Sequence, residues 1–412
     1  MSNFPYHETI LKRFLRYAVI NTMSDPHVTN KRPSTDGQLE LLQILFNELQ
    51  DLGIESVVFD KKGYVVAKIE SNSDKEITPI AFMAHVDTAD DVWGNDVKPR
   101  VIEKYDGSII TLNSEYALDP AEHPDLKDVV GSTIVVTDGN TLLGGDDKAG
   151  VAIIMSLAEY LMTHNEVLHG QVELIFTSDE EIGSGMDAFD LSLIDAKVCY
   201  TIDGNGGGEI EGECFNAATV HIEFTGVPYH LGAARGRLVN SVSMAAAFIQ
   251  AIPRSESPEA TDGRYGYYSV DDIKGTIVHT SLSYYVRDFD SNHLEERIDT
   301  LKSVGMSIEK LFPGGKVTFK TTHSYSNMAE SIKKNPEVME SIFASAKKID
   351  LPIVEKIIRG GTDGARLTSM GIPTPNIFTG SHNLHSRYEW LSLTYAKEAA
   401  LLIEEIVNYW AK

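Results

Sequence analysis

Four short apolar runs, each emptying into polar residues, punctuate the chain. Ile77 to Ala84 leads into His85-Val86-Asp87, and Val172 to Thr177 leads into Ser178-Asp179-Glu180-Glu181. Val198 to Ile202 leads into Asp203-Gly204, and Pro375 to Thr379 leads into a loop with His382 and His385. Continuous apolar runs of this length predict buried strands of a parallel sheet. Helical spacing surrounds them. Ile10, Phe14 and Tyr17 open one helix; Leu39, Leu42, Leu45 and Leu49 line a second, with Ser34 or Thr35 as cap and Gly53 as stop. A third, Asp146 to Tyr160, carries Val151, Ile154, Met155 and Ala158 on one stripe, and a last one from Thr394 carries Ala400, Ile403, Val407 and Trp410. Strands alternating with helices predict an α/β sheet domain. Ligands of such sheets bind beyond the carboxyl ends of the strands, where all four polar clusters fall.

The middle of the chain has a different rhythm. Ala217 to Thr225 alternates apolar and polar, Val239 to Ile252 is helical, and Tyr265 to Val270 and Thr276 to Val286 are strands separated by a Lys274-Gly275 turn. A long helix from His293 to Phe312 and a strand from Lys316 to Thr322 complete a β-α-β-β-α-β order, a ferredoxin-like α+β unit. The expected organisation is a sheet domain over 1–213, an inserted domain over 214–325, and the rest of the sheet domain over 326–412.

Composition narrows the function. With 412 residues the chain exceeds the usual reach of one core, and 42% hydrophobic residues exclude a disordered chain. A formal charge of -24 argues against nucleic acid and anionic membranes as partners. No run approaches a membrane span, and Glu8, Lys12, Arg13 and Arg16 interrupt any apolar signal core. The two cysteines, Cys199 and Cys214, form neither a disulfide framework nor a zinc-finger spacing, so the expected compartment is the reducing cytoplasm.

Taken alone, each cluster has a plainer reading. Glu180-Glu181 reads as a solvated turn, Gly144-Gly145-Asp146-Asp147 as a helix cap, and Asp203-Gly204-Asn205-Gly206 as a hairpin turn. Together, His85, Asp87, Asp146, Asp147, Glu180, Glu181, Asp203 and His385 crowd one sheet edge. Carboxylates so placed repel each other unless cations intervene, and two imidazoles among them favour zinc, cobalt or manganese over calcium or magnesium. Gly204 to Gly208 does not spell the dinucleotide fingerprint.

His85-Val86-Asp87-Thr88, Gly145-Asp146-Asp147-Lys148-Ala149-Gly150, Asp179-Glu180-Glu181-Ile182-Gly183, Tyr200-Thr201-Ile202-Asp203-Gly204, Arg359-Gly360-Gly361-Thr362-Asp363-Gly364 and His385 occur in this order. The set resembles the M20 family of metallopeptidases over nearly the whole chain. The resemblance implies a zinc-peptidase sheet domain with an inserted lid, holding two Zn2+ per subunit, with Co2+ or Mn2+ as alternatives. His85, Asp146 and Asp203 would hold one ion, and Asp146, Glu181 and His385 the other; His382 is the rival for His385. Asp87 would orient His85, and Glu180 would be the general base. His230 matches a lid histidine that contacts the scissile carbonyl, often in the partner subunit's site. Asn240 and Arg287 match lid positions for the far end of the substrate. Arg287 and Arg359 are planar forks suited to a C-terminal carboxylate, so their distance from the metals would measure peptide length. The implied activity is release of the N-terminal residue from tripeptides, with a dipeptidase or N-acyl amino acid deacylase of the same family as alternative. A homodimer through the lid is also implied.

Overall fold

The computed structural model describes residues 4–412 and divides into two compact units. The first comprises Met1–Gly212, Glu330–Lys356 and Thr362–Lys412; the second comprises Glu213–Ala329 and Ile357–Gly361. The chain thus returns to the first unit at Glu330, four residues later than the expected 326, and the short Ile357–Gly361 stretch clusters with the second unit.

An eight-stranded mixed sheet runs in the order Ser56–Asp60, Tyr64–Ile69, Val172–Thr177, Ile80–His85, Val198–Gly204, Asn376–Phe378, Glu209–Cys214, Val354–Ile358. The four runs singled out by their apolar continuity are adjacent and mutually parallel. Their carboxyl ends therefore share one edge, which is what brings the polar clusters together. Both faces are covered, which is why the runs are apolar throughout. Along Ile80–His85, Ile80, Phe82 and Ala84 join a core that includes Phe14, Leu45, Ile154 and Ile403, while Ala81 and Met83 join another with Tyr64, Ile175 and Leu367. Helix Gly145–Thr163 presses so closely on the strand carrying Asp203 that a Cβ at Gly150 would stand 1.8 Å from the carbonyl oxygen of Ile202. Only glycine permits that approach.

Helix Asp36–Asp51 buries Gln38, Leu41, Leu42, Leu45 and Leu49, so the inner stripe is shifted from Leu39 to Leu41, with a buried amide at its start. Thr35 occupies the cap position, but its hydroxyl donates to the Met23 carbonyl. Unforeseen elements include the hairpin Ser56–Asp60/Tyr64–Ile69, helix Glu337–Lys348, and a small sheet ordered Ser381–His382, Trp390–Ser392, Ile134–Val136, Arg100–Ile102.

The second unit is an antiparallel sheet ordered Tyr267–Gly275, His279–Asp288, Asn216–Thr225, Lys316–Tyr325, with helices Ser241–Ala251 and Ser291–Leu311. Val220, Ile222 and Phe224 alternate into a core with Met244, Phe248, Leu294, Ile298 and Leu301. The turn expected at Lys274-Gly275 falls just beyond it, where the Thr276 N–H donates to the His279 carbonyl. Among the described residues no helix is long and apolar enough to cross a membrane.

Phe82 is fully buried in a central strand and stacks on Tyr200 at 5.6 Å between ring centroids. Phe82→Ala is expected to destabilise the first unit by about 3–5 kcal/mol, since little around it can collapse into the void. Denaturant unfolding of the two proteins would measure this.

Candidate metal centre

At the shared sheet edge the charged side chains meet. One oxygen of Asp146 lies 3.0 Å from His85 Nε2, and the other lies 3.4 Å from His385 Nε2. Asp203 Oδ1 is 3.4 Å from the same His85 nitrogen, and Glu181 Oε2 is 3.0 Å from the same His385 nitrogen. Asp146 is thus shared, with an imidazole and a second carboxylate on each side. The sequence left His382 and His385 as rivals. His385 is the one at this cluster; His382 stacks on Trp390, with centroids 4.0 Å apart, and approaches Asp125.

The backbone frames these groups. Helix Gly145–Thr163 opens with non-helical Asp146 and Asp147. The Glu389 carboxylate accepts from the N–H groups of Leu143, Gly144 and Asp146 at 2.6–3.1 Å and so ties down the turn before them. Asp147 accepts from the N–H groups of His85 and Gly150, which occupies it with the frame. Lys148 donates its Nζ to the Ile20 carbonyl. Asp87 serves two neighbours. Its carbonyl oxygen lies 3.1 Å from His85 Nδ1 and its carboxylate 3.4 Å away, while the carboxylate accepts the N–H groups of Glu180 and Glu181. A proton held on Nδ1 leaves the Nε2 lone pair turned toward the acids. On the outer side, His385 Nδ1 lies 3.0 Å from Asp91.

Burial and mutual repulsion reshape the acidities. Burial pushes Glu181 up to about 7, and the Asp146 charge adds to this. Burial likewise raises Asp203 to about 6 and Asp363 to about 7. Glu180 is raised well above the carboxylate range by burial and by Asp203, Asp363 and Glu181, against the pull of His85. His385 rises to about 11 through its hydrogen bonds to Asp146 and Glu181. Burial opposes a charge on His85, yet Asp203, Asp146 and Asp87 outweigh it and raise its pKa. Asp146 alone is held below the usual range despite its burial, because it faces both histidines.

Divalent cations fit this donor set. Ligand atoms of His85, Asp146 and Glu181 lie within 4.8 Å of one another, as do those of His85, Asp147 and Asp203. Glu181 Oε1 is buried without a hydrogen-bond partner, a costly state for a carboxylate oxygen unless a cation meets it.

Comparison with known proteins decides the family. Residues 134–409 match the model described as peptidase family M20/M25/M40. The chain belongs to this family. It is 43% identical over 401 residues to the peptidase T of Bacillus licheniformis, covering 97% of this chain and 98% of the relative. It is 41% identical over 405 residues to that of Caldanaerobacter subterraneus, covering 98% and 99%. The aminopeptidase PepT of Bacillus cereus superposes with a TM-score of 0.75 at 23% identity, covering 98% of this chain and 99% of that one. A dinuclear metal-binding M20 peptidase of Bacillus subtilis superposes at 0.64 and 15% identity, covering 98% and 97%. These two structures share the M20 fold with this chain. The M20 chain is accordingly an enzyme, a peptidase of the hydrolase class.

The remaining candidates lie in the second unit. His230 is exposed and begins a short 3-10 turn. Asn240 caps helix Ser241–Ala251, accepting from the Val242 N–H. Arg287 donates to the carbonyls of Ala218 and Val286 and lies over the rings of Tyr285 and Tyr325, while the adjacent Asp288 pairs with Arg297. Arg359 donates Nη1 to Gly263 and Tyr265 and Nη2 to the Thr261 carbonyl and hydroxyl, so its fork is engaged by its own unit rather than open to a carboxylate. Glu389 went unrecognised as a frame residue, although an acid set between Tyr388 and Trp390 is a signal of burial.

These shifts fix a sign. Without metal, the folded chain binds protons on Glu181 and Asp203 that the unfolded chain releases above about pH 4.5, and on His385 above about pH 6.5. Metal-free stability from these groups therefore falls as pH rises, to about 6–7 for the acids and about 11 for His385. A cation replaces those protons and is held more tightly as they leave. The rise in melting temperature on adding zinc is expected to be larger at pH 8 than at pH 5.5; an equal or smaller rise at pH 8 would contradict the buried site.

Proposed function

We propose that this chain is a dinuclear zinc aminopeptidase that removes the N-terminal residue from tripeptides in the cytoplasm. The observation that carries this is Asp146 set between His85 and His385, with a further acid on each side. Resemblance to curated peptidase T relatives over 97% of the chain supports the peptide substrate. Two buried cysteines, neither in a disulfide, suit a reducing compartment.

His85, Asp146 and Asp203 would hold one ion, and Asp146, Glu181 and His385 the other; Co2+ or Mn2+ would suit the same donors. A bound pair supplies positive charge that acidifies a water and stabilises a developing oxyanion. The chain's own residues do the rest. Glu180, held by its N–H on Asp87, takes the proton of the attacking water and passes it to the leaving amine. Asp87 keeps the His85 proton on Nδ1. His230 is assigned to the scissile carbonyl oxygen, and Asn240 and Arg287 to the far end of the substrate, with Arg287 on its terminal carboxylate. Arg359, with its fork engaged, is reassigned from substrate clamp to a strut of the second unit. That unit's sheet ends on Tyr267–Gly275, where Val270 and Ile273 are exposed, and we assign a homodimer contact to this edge.

Purified, zinc-loaded protein should release the first residue of a free tripeptide and leave a dipeptide, a tetrapeptide and an N-acetylated tripeptide largely intact, as read by mass spectrometry. Cleavage of the blocked peptide instead would move the function to deacylation, and cleavage of the dipeptide to a dipeptidase. Glu180→Gln is expected to lower kcat by about 10²–10⁴-fold while bound metal is unchanged. Arg287→Ala should reduce the tripeptide-to-dipeptide rate ratio; an unchanged ratio would remove Arg287 from length selection.

A further inference from the structure

Glu180 is reached through a residue with unusual backbone. Asp179 sits at φ +61°, in the left-handed region that side chains other than Gly, Asn and Asp seldom occupy. It turns the chain out of strand Val172–Thr177, and its carbonyl oxygen accepts from the Ser184 N–H. The Asp179 side chain is buried and points away from the acid cluster, into the start of helix Asp36–Asp51. Its carboxylate accepts from the Ser34 N–H at 2.9 Å, from the Ser34 hydroxyl at 2.5 Å and from Gln38 Nε2 at 2.8 Å. Its N–H donates to Gln38 Oε1 at 2.9 Å. Gln38 is fully buried and grips Asp179 from both sides of one amide, as donor and as acceptor.

This accounts for a glutamine on an inner helix face where an apolar residue would otherwise stand. The amide both accepts from the Asp179 N–H and donates to its carboxylate; a carboxylate would repel Asp179 and a methyl would strand both groups. On the other side of the turn, Asp87 accepts the N–H groups of Glu180 and Glu181, and the Gly183 N–H donates to the Glu180 carbonyl. The backbone that carries Glu180 is therefore held at two anchors. One, Asp87, belongs to the metal centre. The other, the Gln38–Asp179–Ser34 clamp, belongs to the helix that opens at residue 36.

We infer that Gln38, Ser34 and Asp179 are positioning residues for the hydrolytic step: through the left-handed turn at Asp179 they aim the Glu180 carboxylate, and they leave the metal ligands to Asp87 and Glu389. The inference rests on Glu180 being the general base. It predicts a separation of effects that a purely structural clamp would not produce. A misaimed base slows proton transfer, whereas substrate and metal are held by other groups.

The test uses zinc-loaded full chain carrying Gln38→Met, Asp179→Ala or Asp179→Asn, with kcat, KM, bound metal and melting temperature read on each. Gln38→Met and Asp179→Ala should lower kcat by about ten- to a hundredfold, with KM within about twofold and bound metal equal to wild type. Asp179→Asn keeps an oxygen for Ser34 and tolerates the positive φ, so it should recover most of the kcat lost in Asp179→Ala. Unchanged kcat in both damaging variants, or a fall in kcat that follows loss of metal, would overturn the inference. If those two variants fail to fold, Ser34→Ala, which removes one hydroxyl and keeps the N–H donor, decides by the same readouts with a fall of about two- to fivefold. Wild-type protein that cleaves no peptide would instead refute the functional reading itself.

Discussion

The Asp146 carboxylate, set between His85 and His385, is the contact on which the rest of the first unit depends. A carboxylate shared by two imidazoles has to be delivered from a rigid element, because each oxygen must face its own partner. Helix Gly145–Thr163 provides that element, and Gly150 lets it lie against the strand that carries Asp203. The parallel order of the central strands then brings His85, Glu180-Glu181 and Asp203 to the same edge. The fold is an arrangement for holding several like charges within a few ångströms, and its apolar covering makes that costly unless cations share the space.

The buried acids fall into two kinds. Asp87, Asp147, Asp179 and Glu389 accept backbone N–H groups, and each thereby fixes a turn that presents another residue. Asp146, Glu181 and Asp203 instead face the Nε2 atoms of the histidines. Asp147 falls with the first kind, although its oxygens lie near enough to His85 and Asp203 to share a cation with them.

The legible parts of the sequence were those with local signatures. The four apolar runs were readable because parallel strands buried on both faces need continuous hydrophobicity, and the acids and histidines directly follow them. The alternation of Val220, Ile222 and Phe224 was readable because one face of that strand packs on helices. The small sheet was not: its strands are two or three residues long, and they form only because distant segments pair. The roles of Glu389 and Gln38 were hidden for the same reason. Glu389 meets Gly144 across 245 positions and Gln38 meets Asp179 across 141, and a single sequence carries no trace of such pairings. The Arg359 fork meets three backbone carbonyls, and a fork that suits a carboxylate suits those equally well, so sequence alone does not separate the two.

The two histidines are unequally enclosed, and that asymmetry bears on the chemistry. His85 is 2% exposed, backed by Asp87 and enclosed by the sheet edge; His385 is 41% exposed, backed by Asp91, which is itself 61% exposed. A buried second partner fixes a ring firmly, whereas a solvated one competes with water and holds it loosely. The two halves of the site therefore differ in kind. The His85–Asp203 half is rigid and built into the sheet, while the His385–Glu181 half opens to solvent on its histidine side. A cation held on that side would keep access to water and would exchange more readily than one held by the His85–Asp203 half.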